Sequence, residues 1–285
     1  MSSHAWRKLY RMIISVDKAL PPPRRRPEYS DVLIVAMYLW AVAHDRPQSW
    51  ACDRRNYHRT WLPIRLPSQS RFNRRIRSPR CQALLQGVFQ ASTPQEEEDA
   101  LRFLDGRPLV VGACSKDKQA RAGRVYGGFA RGYRLHACMT ENGYFSAWQV
   151  TAMNVSEKRV APALIDQTRP RGLVLADGNY DSSALYDRVA RYGGQLLATM
   201  RAGAGQGHRP QNPNRFIAVQ IWQSHAEWIR SQRKSIDRFF GQHSSYGGGL
   251  APLPAWVRTE ARVTRWITAK IILYHHRLNL RRTAA

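Results

Sequence analysis

Two short apolar runs fix the plan of this chain. Gly172-Leu173-Val174-Leu175-Ala176 shows no polar alternation, the pattern of a strand buried on both faces, and Gln195 to Met200 repeats it. Between them, Ser182 to Tyr192 reads as a helix. Upstream, Leu101 to Asp105 and Pro108 to Ala113 are two short extended runs, and Tyr133-Arg134-Leu135-His136-Ala137-Cys138-Met139 alternates as a strand does. Glu141-Asn142-Gly143 supplies a turn, and Tyr144 to Thr151 the returning strand. Glu157 to Gln167 reads as helical despite Pro162, and two helices at roughly 224–242 and 255–282 close the chain. Strands first, then strand–helix–strand, then two helices make an α/β fold: a mixed sheet with helices on both faces.

The N-terminal 95 residues read as all-helical. Ser30-Asp31 caps the apolar run Val32 to Ala43, and Ser68 caps a short helix. On that helix Phe72 and Ile76 lie four apart and face inward, while Gln69, Arg71, Arg74, Arg75 and Arg77 mostly face out. A short Arg-rich helix preceded by another suits entry of its N-terminal part into a major groove. A basic surface helix that touches phosphates alone is the other reading. Ser92-Thr93-Pro94-Gln95-Glu96-Glu97-Glu98-Asp99 is a linker or a capped helix start, its acids a solvated turn. It divides a helical region, 1–95, from an α/β domain, 96–285.

Charge narrows the partners. The chain carries 45 Lys+Arg against 20 Asp+Glu, a net +25. An enzyme of small neutral metabolites has no need of that self-repulsion, so the partner is a polyanion, DNA before an acidic membrane surface. The longest apolar run, Val32 to Ala43, is too short to span a bilayer, and MIISV is too short for a secretory signal. Cysteines 52, 81, 114 and 138 form no Cys-x-x-Cys pair and read as free thiols in a reducing cytoplasm. No P-loop is present, so ATP use is not indicated. The nine tryptophans and twelve tyrosines offer stacking surfaces for flipped or single-stranded bases, although Trp40, Trp148 and Trp266 lie in apolar stretches and read as core.

With so few acids, each can be weighed. Asp105 follows Phe103-Leu104, and Asp177 ends the most buried-looking strand. Ligands and catalytic groups of open α/β sheets gather at that edge. Asp237 lies mid-helix, one of three acids in the last 85 residues with Glu227 and Glu260. Two strand-end aspartates and one helix acid can cradle the two divalent cations, about 3.5–4 Å apart, that activate a nucleophilic oxygen and stabilise a leaving one on phosphorus. Carboxylates are the hard oxygen ligands that Mg²⁺ prefers. By spacing alone, an Asp after a strand is more often a turn or helix cap.

Several motifs in order add to this. Gly132-Tyr133-Arg134-Leu135-His136, then Thr151-Ala152-Met153-Asn154-Val155, then Leu175-Ala176-Asp177-Gly178-Asn179-Tyr180-Asp181-Ser182 resemble the core of bacterial insertion-sequence transposases of the DDE type, in the IS-four/IS-five superfamily. The resemblance covers roughly residues 100–280. The N-terminal 95 residues resemble the helical region that precedes that core, so the resemblance implies a DNA-binding region at 1–95, a ribonuclease-H-like catalytic domain at 96–285, and metal-dependent strand cleavage and strand transfer at the ends of an insertion sequence. Water and then a 3′-hydroxyl would be the nucleophiles. Two ions of Mg²⁺ or Mn²⁺ are the implied cofactors. Asp105 matches the first metal-binding Asp, Asp177 the second, and Arg233-x-x-x-Asp237 the Arg-x-x-x-Glu element, with Asp in the place of Glu. That acid is one methylene shorter, so the helix must sit closer or a water must bridge to the metal. The Tyr expected three residues before the Arg is Arg230 here. Glu227 lies ten residues upstream, but its neighbours do not match. The implied partners are the terminal inverted repeats and target DNA, and the implied active complex is at least a homodimer in the cytoplasm, associated with the nucleoid.

On the same helix Arg230, Arg233 and Asp237 share one face, and Ile229, Ile236 and Phe240 another that packs on the sheet. Arg233 then contacts a phosphate or orients the carboxylate, or else it forms a plain surface pair with Asp237. Lys234 adds to the cationic surface. Lys116, Lys118, Arg121 and Arg124 belong to a basic, Gly-bearing and mobile tract that either lies along a DNA backbone or forms a solvated hairpin loop. In the last helix Ile267, Ile271, Tyr274 and Leu278 form an apolar stripe, leaving Arg262, Arg265, Lys270, Arg277, Arg281 and Arg282 for solvent or phosphate. His136, on an alternating strand, reads as a hydrogen-bonded structural residue more than as a general base. Two further functions compete: a repurposed transposase that binds DNA without cutting it, and a ribonuclease-H-like nuclease without strand transfer.

Overall fold

The computed structural model describes residues 1–23, 25, 27–58, 65–94, 100–199, 212–245, 250 and 252–283. The acid run 95–99 and most of the Gly/Pro/Asn-rich loop at 202–214 lie outside the described residues. The chain forms two compact units. One comprises residues 1–94, 245–249 and 265–285, and the other residues 95–244 and 250–264.

The first unit is helical. α1 (Ser3–Ala19) buries Trp6, Leu9 and Ile13 along one stripe. α2 (Asp31–Ala43) is apolar all round and buried almost throughout, its start capped by Ser30 Oγ accepting from Leu33 N at 3.2 Å. α3 (Gln48–Ala51) is one turn. α4 (Gln69–Ile76) begins at its Ser68 cap and buries Phe72 and Ile76. α5 (Pro79–Ser92) has proline in its first turn, where the missing N–H costs nothing.

The buried carboxylate of Asp31 ties these helices together. It accepts from Arg75 Nη2 at 2.6 Å and Arg80 Nε at 3.0 Å, and Arg80 reaches on to Asp17 at 2.7 Å. Arg75 is therefore an inward arginine, against the expectation that the cations of α4 mostly face out. Arg71 pairs with Glu28 at 2.5 Å on the surface, and Arg74 and Arg77 are exposed.

Residues 265–276 of the last helix also depart from the expected one-sided stripe. They are buried on every face, Arg265 and Lys270 included. Lys270 Nζ donates to Asp45 at 2.6 Å and lies 4.9 Å from the centre of the Trp266 ring. The charge is thus neutralised inside the unit and not offered to phosphate. His275 Nδ1 lies within hydrogen-bond distance of the Ser92 and Thr93 hydroxyls, and His276 Nε2 within 2.8 Å of the Ala5 carbonyl.

The second unit is built on a six-stranded mixed sheet. Its strands are β1 (Leu101–Val110), β2 (Arg121–Val125), β3 (Gly128–Thr140), β4 (Phe145–Ala152), β5 (Leu173–Ala176) and β6 (Gln195–Ala198). β3 runs antiparallel to β1, β2 and β4, while β5 is parallel to β1 and β6 parallel to β5. The helices are α6 (Glu157–Thr168), α7 (Ser183–Ala190), α8 (Pro213–Ser245) and α9 (Glu260–Arg282), the last of which begins in this unit. An antiparallel β4–β3–β1 half continued by the parallel strands β5 and β6 is the ribonuclease-H-like arrangement.

The two extended runs expected at 101–105 and 108–113 are one strand. β1 pairs with β5 only as far as Leu104, so Pro108 falls where one edge is free of β5, a place at which a strand tolerates proline. The Asn142-Gly143 turn has Gly143 at φ 85°, the left-handed conformation glycine permits. α8 starts eleven residues earlier than expected, but it is kinked at His225 (φ −133°, ψ 29°), next to the expected start.

The basic tract at 116–124 is not a loose loop. Asp117 is buried and accepts from Tyr133 Oη (2.8 Å), Gln119 N (3.0 Å) and Thr259 N (2.8 Å), the last at the start of α9. Arg131 donates to the carbonyls of Ser115, Asp117 and Ala120. Residues 121–125 are strand β2. All four cysteines are free, and among the described residues no helix is long and apolar enough to cross a membrane.

Candidate active site at the strand ends

The register of β1 against β5 places two acids side by side. Leu104 lies opposite Ala176, so Asp105 and Asp177 are the next residues on adjacent parallel strands, which run about 4.8 Å apart. Asp105 Oδ1 accepts from Gly106 N at 2.8 Å. Asp177 turns out of the sheet. Its Oδ1 accepts from Asn179 N at 2.9 Å and its Oδ2 from Asn179 Nδ2 at 3.0 Å, capping the short helical turn Gly178–Tyr180. The plainer reading of Asp177 as a cap is therefore what its hydrogen bonds show.

The electrostatics of Asp105 set it apart. Burial pushes its carboxyl up to about 7, and the negative charges of Asp177, Glu157 and Asp237 push the same way against the Gly106 hydrogen bond. None of Asp105, Asp177 and Asp237 makes an ion pair among the described residues, in a chain with more than twice as many cations as acids. Asp237 is exposed on α8 and close enough to Asp105 for their charges to interact. It does not complete a ligand set: no group of three or more His, Cys, Asp or Glu side chains among the described residues is placed to hold a metal ion. The donor chemistry of the Asp105–Asp177 pair fits a hard divalent cation, with paired carboxylates and no cation among the described residues bound to either.

Several neighbours had drawn no role from the sequence. Glu157, at the start of α6, is buried and accepts from Arg134 Nη1 at 2.8 Å and from the Asn179 side chain. Asn179 thus joins Glu157 to Asp177. Burial raises the Glu157 carboxyl, which Arg134 opposes and Asp177 reinforces. A Cβ on Gly106 would lie 2.5 Å from Glu157 Oε1, so the residue after Asp105 must be glycine for Glu157 to sit there. Tyr180 is fully buried. Its hydroxyl has no hydrogen-bond partner among the described residues, and burial with the charges of Asp105, Glu157 and Asp177 raises it well above the usual range. Arg107, with its guanidinium carbon 5.8 Å from the centre of the Phe240 ring, is lowered by burial, while the charges of Asp105 and Asp237 hold it up. Arg134, Tyr180 and Glu157 were signalled by position: Arg134 and Tyr180 lie inside the quoted motifs, and Glu157 stands two residues after Val155, where one ends.

The remaining nominated residues spread out. Arg233 donates to Thr199 Oγ1 after β6, tying α8 to the sheet, and not to Asp237. Arg230 and Lys234 are exposed on α8, as are Lys116, Lys118, Arg121 and Arg124 around the β2 hairpin. Ile229, Ile236 and Phe240 are buried, with Phe240 edge-on to Phe145 and its neighbour Phe239 edge-on to Phe103. His136 Nε2 lies 2.9 Å from Thr151 Oγ1, and burial, helped by Arg134, pushes the ring down to about 4. It is neutral at pH 7 and structural.

The sheet thus brings two acids together where β1 leaves β5. The chain belongs to the Transposase DDE domain family, which it matches over residues 98–272, more than half its length. It is also similar, at 9% sequence identity and a TM-score of 0.44, to the piggyBac transposase in a cryo-EM structure of its synaptic complex with hairpin DNA, over 96% of this chain and 73% of that one. No curated protein matches the chain.

Proposed function

We propose that this protein is an insertion-sequence transposase, which cleaves DNA at the terminal inverted repeats of its element and joins the ends to target DNA. The observation that supports it most is the isolation of Asp105. Burial pushes its carboxyl up to about 7, the charges of Asp177, Glu157 and Asp237 add to the rise, and no cation among the described residues is bound to it. In this reading Asp105 and Asp177 hold the divalent metal, Mg²⁺ or Mn²⁺ as two ions, and Asp237 is the third acid. The metal supplies Lewis-acid activation of the attacking oxygen and stabilisation of the leaving one. Glu157 and Asn179 keep Asp177 aimed, and Arg107 balances charge between Asp105 and Asp237.

DNA is held by exposed cations: Arg74 and Arg77 of α4, Lys116, Lys118, Arg121 and Arg124, and Arg230 and Lys234 of α8. Arg71, already paired with Glu28, contributes less, and Arg75 and Arg233 are committed to Asp31 and Thr199. Joining two ends in one complex calls for a homodimer.

The placement of Asp237 outside a ligand set favours a second reading, a family member that binds DNA without cutting it. Incubating the protein with a fragment carrying the element's end and Mg²⁺ or Mn²⁺, beside D177N and D237A, separates the two. Nicking by wild type and not by D177N supports the transposase. Nicking by wild type no greater than by the variants removes the enzyme and leaves the binder.

A further inference from the structure

The two most exposed large hydrophobic side chains of the described residues stand together at one hairpin tip. Tyr126 is fully exposed and Phe129 is 81% exposed, at the turn from β2 to β3. Between them lie Gly127 (φ 80°) and Gly128 (φ 148°), and a Cβ on either would meet nothing within 4 Å, so the tip stands clear of the protein. The base of the hairpin is held. Arg134 Nη2 donates to the Arg124 carbonyl at 2.9 Å, and Arg131 donates to three carbonyls of residues 115–120. Gly123 lies against Met153, whose carbonyl oxygen a Cβ there would meet at 2.5 Å. The result is a stiff stem with two aromatic rings on an open tip.

The surroundings of those rings are cationic. From Lys118 to Arg134 the chain carries Lys118, Arg121, Arg124, Arg131 and Arg134 and no acid. Arg124 is the cross-strand partner of Phe129, so a guanidinium and a ring share one face of the ribbon. Two solvated aromatics amid exposed arginines suit a partner with flat apolar surfaces on an anionic backbone. In a paired duplex the base faces are covered by stacking, whereas in an unpaired segment they are open.

We infer that the β2–β3 hairpin is a DNA-contacting finger whose Tyr126 and Phe129 stack on unpaired bases while Arg121 and Arg124 meet the flanking phosphates. This rests on the reading of the protein as one that acts on DNA.

The test uses the full chain and two DNAs of one sequence, a matched duplex and one with a three-base bubble containing 2-aminopurine. Wild type binds the bubble about tenfold tighter than the duplex and quenches the 2-aminopurine. Y126A/F129A, which alters only exposed side chains, keeps wild-type duplex affinity and loses both the preference and the quenching. Y126W/F129W retains them. R121A/R124A weakens both DNAs alike. A bubble preference that is missing in wild type or survives in Y126A/F129A overturns the inference while leaving duplex binding, and with it the DNA reading, intact. A wild-type protein that binds neither DNA defeats both. Loss by Y126A/F129A of binding to phosphatidylserine vesicles, with no change on DNA, assigns the finger to a membrane and overturns the inference too.

Discussion

Asp31 and Asp105 are both enclosed acids in a strongly basic chain, and their surroundings are opposite. Asp31 lies among helices α2, α4 and α5 with two arginines on its carboxylate and the Cys81 thiol donating at 3.0 Å. Asp105 lies within the inner strand β1 among other acids, and its carboxylate accepts from Gly106 N at 2.8 Å. Elsewhere in the second unit Asp181 has Arg215 at 2.9 Å, Asp166 has Arg188 at 2.8 Å and Glu157 has Arg134. Each of these three acids is held by an arginine. Asp105, Asp177 and Asp237 make no ion pair among the described residues, which is the charge arrangement the proposed cation site calls for.

Substitutions at the two acids should break the contrast most visibly. D105N or D177N is expected to reduce metal-dependent DNA nicking to background, well beyond the roughly 10- to 100-fold that changes behind a metal ligand cost. D31A should do the reverse. Its urea denaturation curve should show a loss of about 3 kcal/mol, because two arginines lose their partner, while the folded fraction nicks DNA at the wild-type rate.

Glu157 sharpens the comparison, because it has its arginine yet borders the site. E157A and N179A are each expected to weaken Mn²⁺ binding roughly tenfold. The double variant should be no worse than the single ones if Glu157 acts on Asp177 through Asn179. Additive losses in calorimetric titration would show that the two residues act separately.

Stability against pH gives a smaller effect with a definite sign. The carboxyl of Asp105 is raised from the ordinary range to about 7 in the folded chain. Between these values the folded state binds the proton that the unfolded state has released, so stability falls as pH rises from about 4 to about 7. Metal-free protein should melt several degrees higher at pH 5 than at pH 8 on this account, and D105N should flatten that difference. An equal slope in D105N would remove Asp105 as the source. The smallest test concerns the field: duplex affinity should drop steeply between 50 and about 200 mM salt, and R74A or R77A should lessen that slope by roughly one unit each.

Much of the sheet is legible in the residues because its signals are local. The continuous run 172–176, the Asn142-Gly143 turn and the caps Ser30 and Ser68 each depend on neighbours in sequence. Asp105 and Asp177 could be nominated because both end apolar runs. The missed parts depend on distant partners. Arg75 points inward only because Asp31 lies 44 residues before it, and Lys270 is buried only because Asp45 reaches it. Glu157 reads as the first residue of a helix, and nothing local shows that Gly106 leaves room for its carboxylate. The tract 116–124 looks loose by composition, yet Asp117 and Arg131 fasten it through partners that spacing cannot reveal.

The central claim is that Asp105 and Asp177 form a cation site, and Mn²⁺ titration of the metal-free protein at pH 8, read by electron paramagnetic resonance, tests it most directly. Wild type should bind Mn²⁺, with D105N and D177N each losing that binding while keeping their fold by circular dichroism. Equal Mn²⁺ binding by wild type and both variants, or none by wild type with DNA present, would contradict it.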